Sequence, residues 1–409
     1  LQINAQRVNE RLQCLSQFGR TADGGVTRYA LSPEEKAATD TVAGWMRQAG
    51  LEVRRDAVGN LFGRLAGRED GPALLTGSHL DSVPNGGHYD GPAGVLGALE
   101  ALESMKEQGL VPTRPIEMVS LMGEEGSRFP HGLMGSSFVT GSFPYEHLQE
   151  MTDRQGVRLF DALQAYGANP GDAKSAAVTE GAYSAYVEMH IEQSGLLESR
   201  DLPVGIVSGI AGMRQLQGVI RGRAEHAGAC PMNLRLDPMP AAAEIILEVE
   251  RAARESDPAT RATVGFVTAK PGAANVIPAE VALSFDIRDL DGDRRDACLE
   301  RVRRYFDAIL KRRGLSGEMV LQHTSTPIRC DAGLVNVMSE AAEALGMEPY
   351  QLPSGAVHDG ANIAEICPVA MIFLRSRAGL SHCPQEYTSP EDVAAGTLLL
   401  AETLWRLSN

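Results

Sequence analysis

The sequence is short of positive charge. Its 409 residues hold 38 Lys and Arg against 53 Asp and Glu, a formal net charge of −15. Phosphate binding needs a basic face, so nucleic acid is argued against as a partner. An anionic substrate would need a local positive site. Paired cysteines are also missing. Cys14, Cys230, Cys298, Cys330, Cys367 and Cys383 are scattered with no CxxC, so neither a zinc ribbon nor a disulfide scaffold is suggested. Reduced thiols in a cytoplasm are the expectation. No stretch approaches the ~18–20 apolar residues of a membrane span. The opening "LQINAQRVNERLQCLSQFG" is charged throughout and lacks a signal-peptide pattern. Because the chain starts at Leu1 rather than Met, a few residues are expected to precede it. There is no internal repeat and no low-complexity tract. What remains is a chain with 43% apolar residues, ordinary for a globular protein and long enough for two or three domains.

Strands and helices alternate along the first half. "SPEEKAATDTVAGWMRQAG" has a capping-box start at Ser32 and reads as a helix ending at Gly50. "LEVRRDAVGNLFGRLAG" alternates like paired strands, "PALLTGSHL" is a strand, and "GVLGALEALESMKEQG" is a helix with one apolar face. "RPIEMVSLMGEEGSRF" and "AYSAYVEMHIEQSG" are buried strands running into polar loops. This pattern predicts an α/β fold: a doubly wound mixed sheet with helices on both faces. From about residue 209 the texture becomes strand, helix, strands, helix, the pattern of a smaller α+β sandwich. The sequence therefore predicts a catalytic domain of residues 1–208 and 325–409, with residues 209–324 inserted into it.

The run "GSHLDSVPNGGHYDG", residues 77–91, carries two His and two Asp among turn-forming residues. It is either a solvated surface loop or a loop that grips a cation. Other strand ends supply matching groups: Glu124 and Glu125 in "MGEEGSR", His190 in "VEMHIEQ", His382 in "GLSHCPQE". Two metals sharing one carboxylate need this inventory. His79, Asp90 and His190 would hold one ion, and Asp90, Glu125 and His382 the other. Imidazole with carboxylate suits Zn, Mn, Co or Ni better than Mg or Ca. Asp81, two residues after His79, would accept that ring's other N–H. Glu124 has no metal to hold in this count and is the natural general base. His88 more readily faces solvent, His131, His147 and His323 read as ordinary surface or packed residues, and Cys383 reads as a packed thiol.

Taken together, "GSHLDSVPNGGHYDGPAGV", "EEGSRF", "VEMHIEQ", "AEHAGACPM", "NVIP", "DIRDL", "LPSGAVHDG" and "SHCPQEYTSPED" resemble the dinuclear-metal N-carbamoyl-L-amino acid hydrolases. Their sisters are the allantoate amidohydrolases, the zinc-dependent β-ureidopropionases and the ureidoglycolate amidohydrolases, all in the aminoacylase and carboxypeptidase clan. The resemblance runs from about Gly24 onward. It implies the same five metal ligands, with Glu124 as base. It also implies substrate contacts at Gln193, His226, Asn275, Arg288, Ser354 and Gly355, and a homodimer in which the inserted domain makes the interface and His226 reaches across it. Peptidases of the clan typically have an acid where His190 stands, which favours the carbamoyl-amide branch. The family usually reads HIEQG, whereas Ser194 follows Gln193 here. If that position needs a positive φ, Ser costs about 1 kcal/mol.

The implied reaction is hydrolysis of an N-carbamoyl-L-amino acid to the amino acid, CO2 and ammonia. Arg288 would grip the carboxylate with its planar fork, unless it merely pairs with Asp286 or Asp289. Asn275 would hold the carboxylate or the ureido group, and His226 would stabilise the oxyanion. Allantoate amidohydrolase or β-ureidopropionase is the alternative within the family. A dipeptidase or aminoacylase would use the same metals on another amide. A non-catalytic binding protein would leave Glu124 without a purpose.

Overall fold

The computed structural model describes residues 1–409, and the chain divides into two compact units. One comprises Leu1–Ser208, Cys330–Leu352 and His358–Asn409, the other Gly209–Arg329 and Pro353–Val357.

In the first unit a mixed sheet runs in the order Glu52–Arg55, Leu61–Leu65, Ile116–Leu121, Ala73–His79, Tyr183–Ile191, Val369–Leu374, Val204–Ile210. Its four central strands, Ile116–Leu121 to Val369–Leu374, are parallel to one another, and the flanking strands pair antiparallel with their neighbours. Ala73–His79, Ile116–Leu121 and Val369–Leu374 are buried at every residue, as parallel strands covered on both faces must be. The helix Pro33–Gln48 starts under the Ser32 side chain, which accepts from Glu35 N. The helix Pro92–Glu107 departs from its one-faced sequence pattern and is buried from Pro92 to Met105. The helix Ala5–Leu15 covers the side that would otherwise be wet: Arg7 pairs with Glu100 at 2.7 Å and Arg11 with Glu103 at 2.5 Å.

The second unit is an antiparallel sheet in the order Val267–Lys270, Glu280–Asp289, Gly212–Arg221, Ser316–Thr324. Alternate residues of Glu280–Asp289 are buried. Val281, Leu283, Phe285 and Ile287 form a core with Ile245, Val249, Val302 and Phe306 of the helices Pro238–Arg254 and Gly292–Arg313. The sequence places the end of the insertion at 324, but the unit continues to Arg329 and takes in 353–357. Backbone pairing explains the difference. Ile328 and Arg329 pair with Ile210 and Gly209, and Ala211 N donates to Ser354 O at 2.9 Å.

Candidate metal centre

The carboxyl ends of the four parallel strands meet in the first unit, the place where α/β sheets collect ligands. His79 is the last residue of its strand and His190 the second-last of its own. Glu124 and Glu125 lie just past Leu121, and Asp90 just before the helix Pro92–Glu107. Gly91 between them has φ +79°, and a Cβ there would lie 2.6 Å from the His79 ring. Only glycine lets the helix begin this close to that imidazole.

Side-chain ligand atoms of His79, Asp90 and His190 lie within 4.8 Å of one another, and so do those of Asp90, Glu125 and His382. Asp90 belongs to both groups and gives one oxygen to each. Its Oδ1 is 3.4 Å from His79 Nε2 and 3.1 Å from His190 Nε2. Its Oδ2 is 3.3 Å from His382 Nε2, which is also 3.7 Å from Glu125 Oε2. His79 Nδ1 lies 3.1 Å from the Asp81 carbonyl and His190 Nδ1 lies 3.0 Å from the Ile191 carbonyl. A carbonyl only accepts, so each Nδ1 carries hydrogen, and in its neutral form each ring would turn the Nε2 lone pair toward Asp90.

These residues fit a divalent cation. His79 Nε2, His190 Nε2 and Glu125 Oε1 are buried without a hydrogen-bond partner, a cost of ~1–3 kcal/mol for each group left unsatisfied. The charges press the same way. Burial and the nearby Asp90 push Glu125 up to about 8. Burial drives Glu124 well above the usual carboxylate range, with Glu125 adding to the push and His79 opposing it. Burial would also raise Asp90, but His190, His382 and His79 hold it well below its ordinary value. The hydrogen bond to Asp90, with Glu125 nearby, lifts His382 to about 9. A cluster whose glutamates resist ionising and whose imidazoles favour their charged form calls for added positive charge.

Asp81 does more than hold His79, and does it differently from the sequence expectation. Its carboxylate is 3.5 Å from His79 Nδ1, farther than its own carbonyl. Its oxygens instead accept the backbone N–H of Glu124 at 3.1 Å and of Glu125 at 3.2 Å. Asp81 therefore fixes the acidic loop against the His79 loop. Glu124 Oε2 lies 3.8 Å from His79 Nε2, and His79, Glu124 and Glu125 form a further close grouping. Gln193 donates to Asp90 Oδ2 at 2.6 Å. The left-handed residue of its turn is Gln193 itself, at φ +55°. Ser194 thus carries no strain from a positive φ, and its hydroxyl donates to Glu192 at 2.5 Å.

His88 takes no part in either group; its Nε2 lies 2.8 Å from Gly24 O. His131 packs edge-on against Phe143, His147 opens a short helix, and His323 sits on an exposed strand. Cys383 is a partly exposed free thiol.

The remaining sequence candidates lie in the second unit, in two pairs. His226 and Asn275 come together because His226 pairs with Val276 and Ala227 N donates to Asn275 O. Arg288 joins Gly355, donating from Nη1 to its carbonyl at 2.9 Å. Arg288 also makes the pairing weighed against its substrate role, donating from Nε and Nη2 to Asp286 at 2.7 and 3.0 Å. Three of the five guanidinium N–H groups are thereby engaged and two stay available. Ser354 Oγ donates to Ala356 O at 2.8 Å.

Several residues of the centre were not singled out from the sequence. Glu188 and His358 are buried beside His190 and group with it, with the His358 ring 4.4 Å from that of His190. Ser381 and Glu386 touch Asp90 directly. Glu188, Ser381 and Glu386 stand near His190 and His382 in "VEMHIEQ" and "SHCPQE", while the only sequence signal for His358 was the motif "LPSGAVHDG".

Sheet and site together are those of a metal-dependent hydrolase. The chain belongs to peptidase family M20/M25/M40, whose profile matches residues 75–406. It is 44% identical over 407 residues, 99% of both chains, to an N-carbamoyl-L-amino acid amidohydrolase of Geobacillus stearothermophilus. It is 38% identical to an allantoate amidohydrolase of Bacillus subtilis, covering 98% of this chain and 97% of that one. Among solved structures, it is similar to a hydantoinase/carbamoylase family amidase from Burkholderia multivorans, with TM-score 0.93 and 32% identity over 100% of this chain and 98% of the other.

Proposed function

We propose that the protein hydrolyses N-carbamoyl-L-amino acids to L-amino acid, CO2 and ammonia, using two divalent ions of Zn, Mn, Co or Ni. The observation that carries this reading is the 44% identity to an enzyme of that activity, in a chain whose Asp90 joins two ligand groups. Allantoate remains the second reading, since an enzyme for it is 38% identical. Turnover measured across N-carbamoyl, N-formyl and N-acetyl amino acids, allantoate and dipeptides decides between them. Preference for allantoate or a dipeptide would overturn the first reading.

When bound, the two ions would supply an activated water and polarise the ureido carbonyl. Glu124 takes the proton of the attacking water and returns it to the departing amino nitrogen. Carbamic acid leaves and decomposes to CO2 and ammonia. His226 suits the oxyanion. Its Nδ1 accepts the backbone N–H of Gly228 and Ala229, both at 3.1 Å, so the neutral ring carries its proton on Nε2 and presents a donor. The family resemblance implies further substrate contacts at Gln193, Asn275, Ser354 and Gly355.

Arg288 would bind the substrate carboxylate through its two remaining N–H groups, while Asp286 and Gly355 hold the fork in place. Arg288→Lys loses that grip, since an ammonium is a point charge. A charged hydrogen bond contributes about 1.5–3 kcal/mol, so KM for N-carbamoyl-L-amino acids should rise ~10–100-fold. A substrate with a neutral amide in place of the carboxylate should respond little. Equal losses for both substrates would make Arg288 a purely structural partner of Asp286.

A homodimer joined through the second unit is part of the same reading. Ser316–Thr324 pairs on one side only, with Gly212–Arg221, and exposes Val320 and Leu321; an open apolar edge is a template for another strand. The solution mass should be twice that of the chain, and charging the edge with Val320→Lys should halve it. No helix is long and apolar enough to cross a membrane, and all six cysteines are unpaired, which suits a cytoplasm.

A further inference from the structure

The two ligand groups are not equally secured. His79, Asp90 and His190 are buried, with both rings fixed by backbone carbonyls. His382 has a side chain 51% exposed and a left-handed backbone, φ +57°. Something must hold its loop to Asp90.

Glu386 is placed to do so. Its Oε1 accepts the backbone N–H of Tyr89 at 2.9 Å and of Asp90 at 3.1 Å. Its Oε2 lies 2.9 Å from the hydroxyl of Ser381, the residue before His382. One buried carboxylate thus grips both loops of the second group. Its approach requires Gly87, where a Cβ would fall 2.0 Å from the Glu386 carboxyl carbon.

Ser381 Oγ is 2.9 Å from Glu386 Oε2 and 2.9 Å from Asp90 Oδ2, yet a hydroxyl has one hydrogen. Asp90 Oδ2 is the oxygen that faces His382. Gln193 already donates to Oδ2 at 2.6 Å, so one lone pair remains, and it stays available to a cation if the Ser381 hydrogen points to Glu386. If that hydrogen points to Asp90, the lone pair is occupied.

We propose that Glu386 is the positioning residue of the Asp90–Glu125–His382 group: by drawing the Ser381 hydroxyl to itself and holding the Asp90 amide, it governs whether that group retains a divalent ion. The His79–Asp90–His190 group faces the other carboxylate oxygen, Oδ1, which Ser381 does not touch. The inference rests on the reading that both groups hold ions.

Glu386→Gln tests it with almost no change of shape. The Gln oxygen can still accept both amides. Its NH2 must donate to Ser381 Oγ, which turns the serine hydrogen onto Asp90 Oδ2. Equilibrium dialysis against buffered Mn2+ should find two ions per subunit in the wild type. In the variant one ion should bind unchanged and the other ~10–100-fold more weakly. KM should hold, and kcat should recover as Mn2+ is raised. Ser381→Ala has no hydrogen to turn onto Asp90 Oδ2, so it should weaken the same ion less than Glu386→Gln does. Unchanged binding of both ions in Glu386→Gln overturns the proposal. So does equal weakening of both ions together with a lower melting temperature of the metal-free protein, which would make Glu386 a general brace. A wild type that binds only one ion overturns the two-ion reading itself, and this inference with it.

Discussion

Glu124→Gln should lower turnover by ~10²–10⁴-fold, about 3–5 kcal/mol of activation free energy, the usual contribution of a general base. The amide keeps the side chain's shape and cannot take a proton. Because Asp81 holds Glu124 through its backbone N–H, the loop should keep its place. Metal content should therefore stay at the wild-type value, read by elemental analysis alongside kcat. The grouping of His79 with Glu124 and Glu125 makes the opposite outcome concrete. If the variant loses an ion but works normally when metal is supplied, Glu124 is a ligand and Glu125 takes the proton.

Removing metal should have a larger effect still. Chelation followed by dialysis should abolish hydrolysis, and Mn, Co, Ni or Zn should restore it. On the two-ion reading the loss should come in two steps, because His382 is exposed whereas His79 and His190 are buried. Stability should fall with activity. An ion present at a thousand times its dissociation constant stabilises the fold by about 4 kcal/mol, so the metal-free protein should melt well below the loaded one. Full activity in a preparation shown to be metal-free would sink the assignment of these residues as ligands.

Much of this arrangement was legible in the sequence because polar residues at strand ends stand out against fully buried strands. His79, Asp90, Glu124, Glu125, His190 and His382 each interrupt or follow an apolar run, and the structure gathers them at one edge of the sheet. Glu386 was not legible for a physical reason. Its partners are mostly backbone amides, at Tyr89 and Asp90, and an amide has no residue type to recognise. Asp81 was half legible: its spacing from His79 pointed to that ring, while its tighter bonds go to the Glu124 and Glu125 amides. The end of the second unit was missed for a similar reason. Strand pairing at Ile328–Arg329 and a hydrogen bond from Ala211 to Ser354 assign those residues, and neither alters the composition of the chain.

The position of Val369–Leu374 has a consequence for how the protein is made. This strand lies between Tyr183–Ile191 and Val204–Ile210, yet the ribosome delivers it only after the whole of Gly209–Arg329 has emerged. Until then its two neighbours have no partner between them, and a nascent chain with open strand edges is prone to pair wrongly. The intervening segment buries its own core and is free to fold first. Synthesis therefore allows this segment to fold while the sheet is still unfinished. His382 follows that strand, so the second ligand group closes only when the sheet does, and a ribosome stalled before residue 369 would carry a chain able to assemble His79, Asp90 and His190 but not their neighbours.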